Sequence, residues 1–132
     1  MILIAERDQN VRGLQRHFLD KAGFKVEFAD DGMAALELAQ TSKPALVVTE
    51  ILIPKLDGLT LCRRLRENPE TGSIPVVVFS GLRRNAVAPA SMARASAAGA
   101  TAFLRKPLIE SVFLDVVHNA IGARQRGIKE ST

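Results

Sequence analysis

The chain has 132 residues, of which 47% are hydrophobic and 24% charged, an ordinary composition for one soluble globular domain. It contains no apolar run near the ~20 residues that cross a bilayer. No signal peptide precedes its first apolar run, so a cytoplasmic protein is expected. Its single cysteine, Cys62, excludes an internal disulfide framework.

Charge is distributed unevenly along the chain. Residues 1–60 carry 7 Lys and Arg against 9 Asp and Glu, whereas residues 61–132 carry 11 against 5. A basic half can bind nucleic acid or an acidic protein, and arginines that solvate helix faces are the alternative explanation. Because Tyr and Trp are absent, no aromatic platform for stacking bases is apparent. Direct nucleic-acid binding is therefore not the leading expectation.

Short apolar runs alternate with segments of helical spacing along the chain. The runs predict five buried strands, Ile2–Ala5, Lys25–Ala29, Leu46–Thr49, Ile74–Phe79 and Ala102–Leu104. Stripes between and after them predict helices, with apolar positions at Val11, Leu14, Phe18; Met33, Leu36, Leu38, Ala39; Leu59, Leu61, Cys62, Leu65; Val112, Phe113, Val116, Val117, Ala120 and Ile121. The alanine-rich segment Ala90–Ala98 is also predicted to be helical.

This alternation predicts an α/β fold with a doubly wound parallel sheet in the strand order 2-1-3-4-5. The domain is predicted to span residues 1–122. Residues 123–132 are predicted to form a C-terminal tail or the stub of a linker, with a frayed end.

Polar residues follow the predicted strands at the points where they end. Strand one leads into Glu6–Arg7–Asp8, strand three into Glu50, strand four into Ser80, and strand five into Arg105–Lys106–Pro107. Ligands of such sheets bind beyond the carboxyl ends of the strands. Carboxylates, a hydroxyl and a lysine are therefore expected to converge at one edge of the sheet.

The segments ILIAERD, ADDGMAALELA, ALVVTEILIPKLDG, IPVVVFSG and GATAFLRKP resemble, in order and spacing, the receiver domain of two-component response regulators. The resemblance covers residues 1–122 and implies the flavodoxin-like (βα)5 fold. It also implies an aspartate at the end of strand three that accepts a phosphoryl group from a histidine kinase. In that family an acidic pair after strand one holds Mg²⁺, a Ser or Thr and a lysine contact the phosphoryl group, and an aromatic residue on strand five acts as a switch.

Carried over by position, this pattern places Glu50 at the phosphoacceptor and Glu6 with Arg7 at the acidic pair. The remaining positions are filled by Ser80 at the hydroxyl, Lys106 at the lysine and Phe103 at the switch. Two residues depart from the family pattern, because the acceptor has become a glutamate and one metal-ligand acid has become an arginine.

Both departures oppose phosphoryl transfer. An arginine has donors and no acceptor, so Arg7 cannot ligate a metal. Glutamate moves its carboxylate outward by up to about 1.5 Å, and a 1 Å misplacement can cost roughly 10²-fold in rate. Without a metal, Glu6 and Glu50 would balance Arg7 and Lys106, which predicts that the arginine replaces the ion and pairs with Glu50.

Three interpretations of Glu50 remain open at this point. It can mimic a phosphorylated aspartate, it can be a structural partner of Arg7 and Lys106, or it can still accept phosphate with Asp8 contributing to a weak cation site. Asp8 has an alternative role as the N-cap of the helix that follows.

The sequence thus predicts a phosphorylation-independent pseudo-receiver in a two-component or phosphorelay system. It is expected to be no enzyme, to have no catalytic residue and to hold no cofactor, because the Mg²⁺ site is expected to be lost. A protein partner is expected, either a histidine kinase or an output domain, and no membrane. The alternatives are a phosphorylatable receiver with an unusual pocket and a basic nucleic-acid-binding module.

Overall fold

The computed structural model describes residues 1–80, 89–105 and 107–131. Five strands and five helices alternate along these ranges. The strands are β1 (Ile2–Ala5), β2 (Val26–Ala29), β3 (Leu46–Glu50), β4 (Val76–Ser80) and β5 (Ala102–Arg105). The helices are α1 (Gln9–Lys21), α2 (Gly32–Ser42), α3 (Gly58–Glu67), α4 (Pro89–Ala97) and α5 (Glu110–Ser131).

All the strand pairs are parallel, and the sheet order is β2-β1-β3-β4-β5. The predicted fold class and strand order are therefore confirmed. Strands β1, β3 and β4 are buried along their whole length, as expected for parallel strands that helices cover on both faces. The strand bounds differ from the prediction by two residues or fewer.

Alternate residues of the strands enter two separate cores, one on each face of the sheet. One core joins the sheet to α2, α3 and α4 through residues such as Leu3, Val47 and Val78. The other joins it to α1 and α5 through Ile4, Val48 and their neighbours. This alternation follows from the two-residue period of a strand. Polar groups at the strand ends are consequently left at the carboxyl edge of the sheet, between the two helical layers.

The buried face of helix α1 coincides only in part with the predicted one. The expected stripe included Leu14, which is 46% exposed, whereas the buried residues are Val11, Gln15 and Leu19. These three residues follow the i, i+4, i+8 row, which lies along one side of a helix. A glutamine inside this row conceals the true face from a pattern of apolar residues.

Gln15 is 1% exposed, and its side-chain oxygen has no hydrogen-bond partner within the described part of the chain. An unsatisfied buried polar group costs about 1–3 kcal/mol. The near-isosteric variant Gln15→Met is therefore expected to raise the free energy of unfolding by about 1 kcal/mol in urea titrations. Gln40→Met, at an exposed position of α2, is the control and should change it little. A lower stability for Gln15→Met would show that the amide makes a net favourable contribution.

Helix α5 is longer than predicted, since it continues through the expected frayed end to Ser131. The tail contains Ala, Arg, Gln, Lys and Glu, which have high helix propensity, and these residues offset its one glycine, Gly127. No helix in the described ranges is long and apolar enough to span a membrane.

Candidate functional site

The carboxyl ends of β1, β3 and β4 lie side by side and bring three of the predicted polar residues together. Ala5 is paired with Thr49, so the residues that follow them, Glu6 and Glu50, lie at the same level of the sheet. Glu50 is in turn paired with Phe79, and Ser80 is the residue that follows Phe79 and ends β4. All three residues are buried, at 5% exposure for Glu6, 8% for Glu50 and 0% for Ser80. Buried carboxylates persist when they are hydrogen-bonded or paired, and none of these three residues lacks a partner.

The carboxylate of Glu6 is turned back towards its own backbone. Its Oε2 atom accepts hydrogen bonds from the amide N–H of Arg7, at 3.0 Å, and of Asp8, at 3.1 Å. This arrangement closes the turn between β1 and α1. Oε2 of Glu6, the first residue of the predicted acidic pair, is therefore already bound by N–H donors of the protein.

Asp8 is the N-cap of α1. Its Oδ1 atom accepts from the amide N–H of Asn10, at 2.8 Å, and of Val11, at 3.2 Å. This satisfies two of the donors that the first turn of a helix leaves without intrahelical partners. The capping role considered for Asp8 is thus confirmed.

Arg7 does not form the ion pair that the charge count predicts. Arg7 is exposed. It takes part in none of the ion pairs found in the described ranges, which are Arg12–Asp30, Lys21–Glu110, Lys43–Glu70 and Lys55–Asp31. The physical reason lies in the turn, because Glu6 folds inward and the next side chain is left facing solvent. Arg7 therefore does not neutralise Glu50 directly.

Arg12 is a cation at this edge that the sequence prediction missed. Its Nε donates to the carbonyl oxygen of Glu6, and its Nη2 donates to the carbonyl of Ala29, at 3.1 Å, and to Asp30 Oδ1, at 2.6 Å. The side chain is only 16% exposed. Two signals could have identified it: its place one turn into α1, and the acidic residues that follow β2, the neighbour of β1.

The other predicted positions are placed less completely. Phe103 lies on β5 opposite Val78 and is half-buried against the core formed with α2, α3 and α4. Its role as a switch stays a prediction. Lys106, predicted at the family's lysine position, falls outside the described residues.

The loop from Ile51 to Asp57 connects Glu50 to α3 through a very close backbone approach. A Cβ atom on Gly58 would lie 2.3 Å from the Glu50 carbonyl oxygen, so only glycine fits there. Asp57 caps α3 by accepting from Thr60 N, at 2.9 Å, and from its hydroxyl, at 2.8 Å. Burial alone would raise the pKa of Asp57. The hydrogen bonds from Thr60 lower the pKa and contribute to a net effect that outweighs burial, so the pKa lies below its ordinary value.

Comparison with known families decides what this edge belongs to. A model of the response regulator receiver domain matches residues 2–118 of the chain. The chain belongs to the response regulator receiver family. In this receiver domain Glu6, Glu50 and Ser80 share the carboxyl edge of the sheet.

Relatives of this receiver domain include longer proteins. Response regulator MprA of Mycobacterium sp. (strain KMS) is 38% identical over 79 residues, which are 60% of this chain and 34% of that protein. The DNA-binding dual master transcriptional regulator RpaA of Synechocystis sp. is 37% identical over 81 residues, 61% of this chain and 34% of RpaA. The matched part is thus about a third of the length of these curated relatives.

Solved structures similar to this receiver domain include one from a kinase. The signal receiver domain of a signal transduction histidine kinase from Syntrophus aciditrophicus superposes with a TM-score of 0.82 and 28% identity, over 92% of this chain and 89% of that one. NtrX from Brucella abortus gives a TM-score of 0.86 and 25% identity, over 98% of this chain and 29% of NtrX.

The receiver's acidic edge fits a divalent cation poorly. Mg²⁺ requires near-octahedral oxygen ligands at about 2.0–2.1 Å. In the segment that follows β1, Glu6 Oε2 and Asp8 Oδ1 each already accept two backbone N–H groups, and the residue between them is an arginine. No group of three or more His, Cys, Asp or Glu that could hold a metal occurs in the part of the chain that the structure describes.

Proposed function

We propose that this receiver domain is a pseudo-receiver, a signalling module of a two-component system that works without phosphorylation and without Mg²⁺. The observation that carries the proposal is the position of Arg7 between Glu6 and Asp8, each of which has one carboxylate oxygen that accepts from backbone N–H groups. Phosphoryl transfer depends on positioning and on cations that offset developing negative charge. An exposed guanidinium at the metal-ligand position cannot ligate such a cation.

Glu50 supports the same proposal. It occupies the last position of β3, is 8% exposed, and its side chain is one methylene longer than that of an aspartate. The Gly58 backbone closes on the Glu50 carbonyl, so the main chain has little room to withdraw and compensate for the extra length. Glu50 is proposed to be a fixed structural carboxylate rather than an acceptor, and the domain is proposed not to be an enzyme.

The proposed partner is another protein of the same signalling system, either a histidine kinase or an output domain. Membership of the receiver family and the short share of the relatives that is matched support this choice. A fixed pocket implies that the domain binds this partner in one state and that signalling depends on the partner's presence.

The test is incubation of the purified chain with acetyl phosphate or beryllofluoride in the presence of Mg²⁺. Intact-mass measurement after acetyl phosphate should show an unmodified chain. Beryllofluoride should leave the NMR signals of the backbone amide groups unchanged. Glu50→Gln, which removes the carboxylate charge, should behave identically in both experiments. Mg²⁺-dependent modification that peptide mapping assigns to Glu50 would refute the pseudo-receiver proposal.

A further inference from the structure

Arg12 connects two neighbouring strands at the edge that carries Glu6. From the first turns of α1 its guanidinium donates to the carbonyl oxygens of Glu6, after β1, and of Ala29, the last residue of β2. A third hydrogen bond, of 2.6 Å, joins Nη2 to Asp30. The carboxylate of Asp30 is 82% exposed, whereas the side chain of Arg12 is 16% exposed. The arginine is therefore bound by two backbone carbonyl oxygens as well as by its exposed ion-pair partner Asp30.

An aromatic ring fixes the orientation of this guanidinium. The Cζ atom of Arg12 lies 5.0 Å from the centroid of the Phe28 ring, and that of Arg16 lies 5.1 Å from it. Both distances are in the range of cation–π contacts. Arg12 differs from Arg16 because, in the described ranges, it alone of the two also donates side-chain hydrogen bonds. The chain thus contains two arginines on one ring, of which one connects the strands.

Glu6 is consequently held at two points. Arg12 binds its backbone carbonyl, while the N–H groups of Arg7 and Asp8 bind its carboxylate. We infer that Arg12 is the positioning residue for the buried Glu6, ordering the turn between β1 and α1 from within the chain. A planar, permanently charged fork suits this role because it can bind several oxygens in fixed directions. The inference deepens the proposed function, since it names what orders the acidic edge where a metal is not expected to do so.

Site-resolved amide hydrogen exchange tests this inference, with Arg12→Met compared with its matched control Arg16→Met. Exchange reports local opening separately from global unfolding. In Arg12→Met the amides of Arg7 and Asp8 are expected to exchange about tenfold faster, because charge-assisted hydrogen bonds that hold the turn are lost. The amide of Val78, in the central strand β4, should change much less. Arg16→Met should leave the amides of Arg7 and Asp8 close to their original rates.

Two outcomes would overturn the inference. One is an equal acceleration at Arg7, Asp8 and Val78, which would mean that Arg12 only adds global stability. The other is the same acceleration in Arg16→Met as in Arg12→Met, which would mean that packing on Phe28 is responsible. If Arg12→Met does not fold, Arg12→Lys keeps the charge and the stem, and it should show the same local pattern with a smaller amplitude.

This experiment is separable from the test of the proposed function. Phosphorylation of Glu50 would refute the pseudo-receiver proposal, but the exchange rates at Arg7 and Asp8 in Arg12→Met would still decide whether Arg12 positions Glu6. Conversely, unchanged exchange in Arg12→Met would remove the positioning role while leaving the response to acetyl phosphate as it is.

Discussion

The double variant Arg7→Asp with Glu50→Asp is expected to bind Mg²⁺, whereas the unaltered chain is expected not to. The two substitutions place carboxylates at both departing positions, beside Glu6, and they remove the cation that would repel a metal. Added Mg²⁺ should therefore raise the melting temperature of the double variant. At a concentration ten times the dissociation constant, the stabilisation from one site is about 1.4 kcal/mol. Acetyl phosphate should then modify the aspartate introduced at position 50.

The controls separate metal ligation from a simple change in net charge. Arg63→Asp makes the same charge change as Arg7→Asp at an exposed position of α3, and it should give no specific response to Mg²⁺. Each single pocket variant should respond less than the double variant. If the double variant binds no Mg²⁺, then the hydrogen bonds that engage Glu6 Oε2 and Asp8 Oδ1 exclude the ion by themselves. A response of the unaltered chain equal to that of the double variant would contradict the loss of the metal site.

The members of this site that end strands were predictable from the sequence. Glu6, Glu50 and Ser80 end or follow buried parallel strands, and the order of the sheet brings the ends of β1, β3 and β4 together whatever the details of packing. Only the strand pattern and the rule for crossover connections are needed for that step.

The direction of a side chain in a turn was not predictable in the same way. Arg7 was expected to pair with Glu50 because the charges balance, but the hydrogen bonds of Glu6 to two successive N–H groups set the course of the turn. Arg12 was missed because two of its partners are backbone carbonyls, that of Glu6 after β1 and that of Ala29 at the end of β2. Backbone partners do not depend on residue type, so the available signals were indirect: the place of Arg12 one turn into α1 and the acidic residues that follow β2.

The fold was predictable to the extent that apolar pattern and burial coincide. Strand β1 was placed at Ile2–Ala5, its observed bounds, because all its residues are apolar and buried. The buried face of helix α1 was predicted only in part, since a buried glutamine at position 15 replaces an apolar residue in the i, i+4 row. The end of α5 was not predicted, because the apolar stripe of this helix stops at Ile121, whereas the polar residues that follow also favour helix.

Gly32→Ala is expected to be among the most destabilising single-methyl additions in the domain. Gly32 is the first residue of α2, and its N–H donates to the carbonyl of Pro54 at 3.0 Å. A Cβ atom there would lie 1.9 Å from the carbonyl oxygen of Leu56. The obstacle is backbone rather than a flexible side chain, so the loop between β3 and α3 would have to move.

That loop has little freedom to move, because Pro54 and Lys55, which precede Leu56, are both bonded to the start of α2. Lys55 has a left-handed φ of 69° and its Nζ lies 3.5 Å from Asp31, whose carboxylate also accepts from the N–H of Ala34. This N–H is the main reason that the pKa of Asp31 lies below its ordinary value. Overpacking of this kind costs about 3 kcal/mol or more when the neighbour cannot yield, which lowers the melting temperature by roughly 10 °C for a domain of this size.

Gly13→Ala is the matched control for this prediction. Gly13 is in α1, and a Cβ atom there would have nothing within 4 Å, so alanine should stabilise the domain by about 0.5–1 kcal/mol through helix propensity. The two glycine substitutions should thus shift the melting temperature in opposite directions. Equal, small effects of both would show that the loop after Glu50 yields easily. In that case the main chain at Glu50 can adjust to a longer side chain, so steric restriction would not oppose phosphorylation, and only Arg7 at the metal-ligand position would do so.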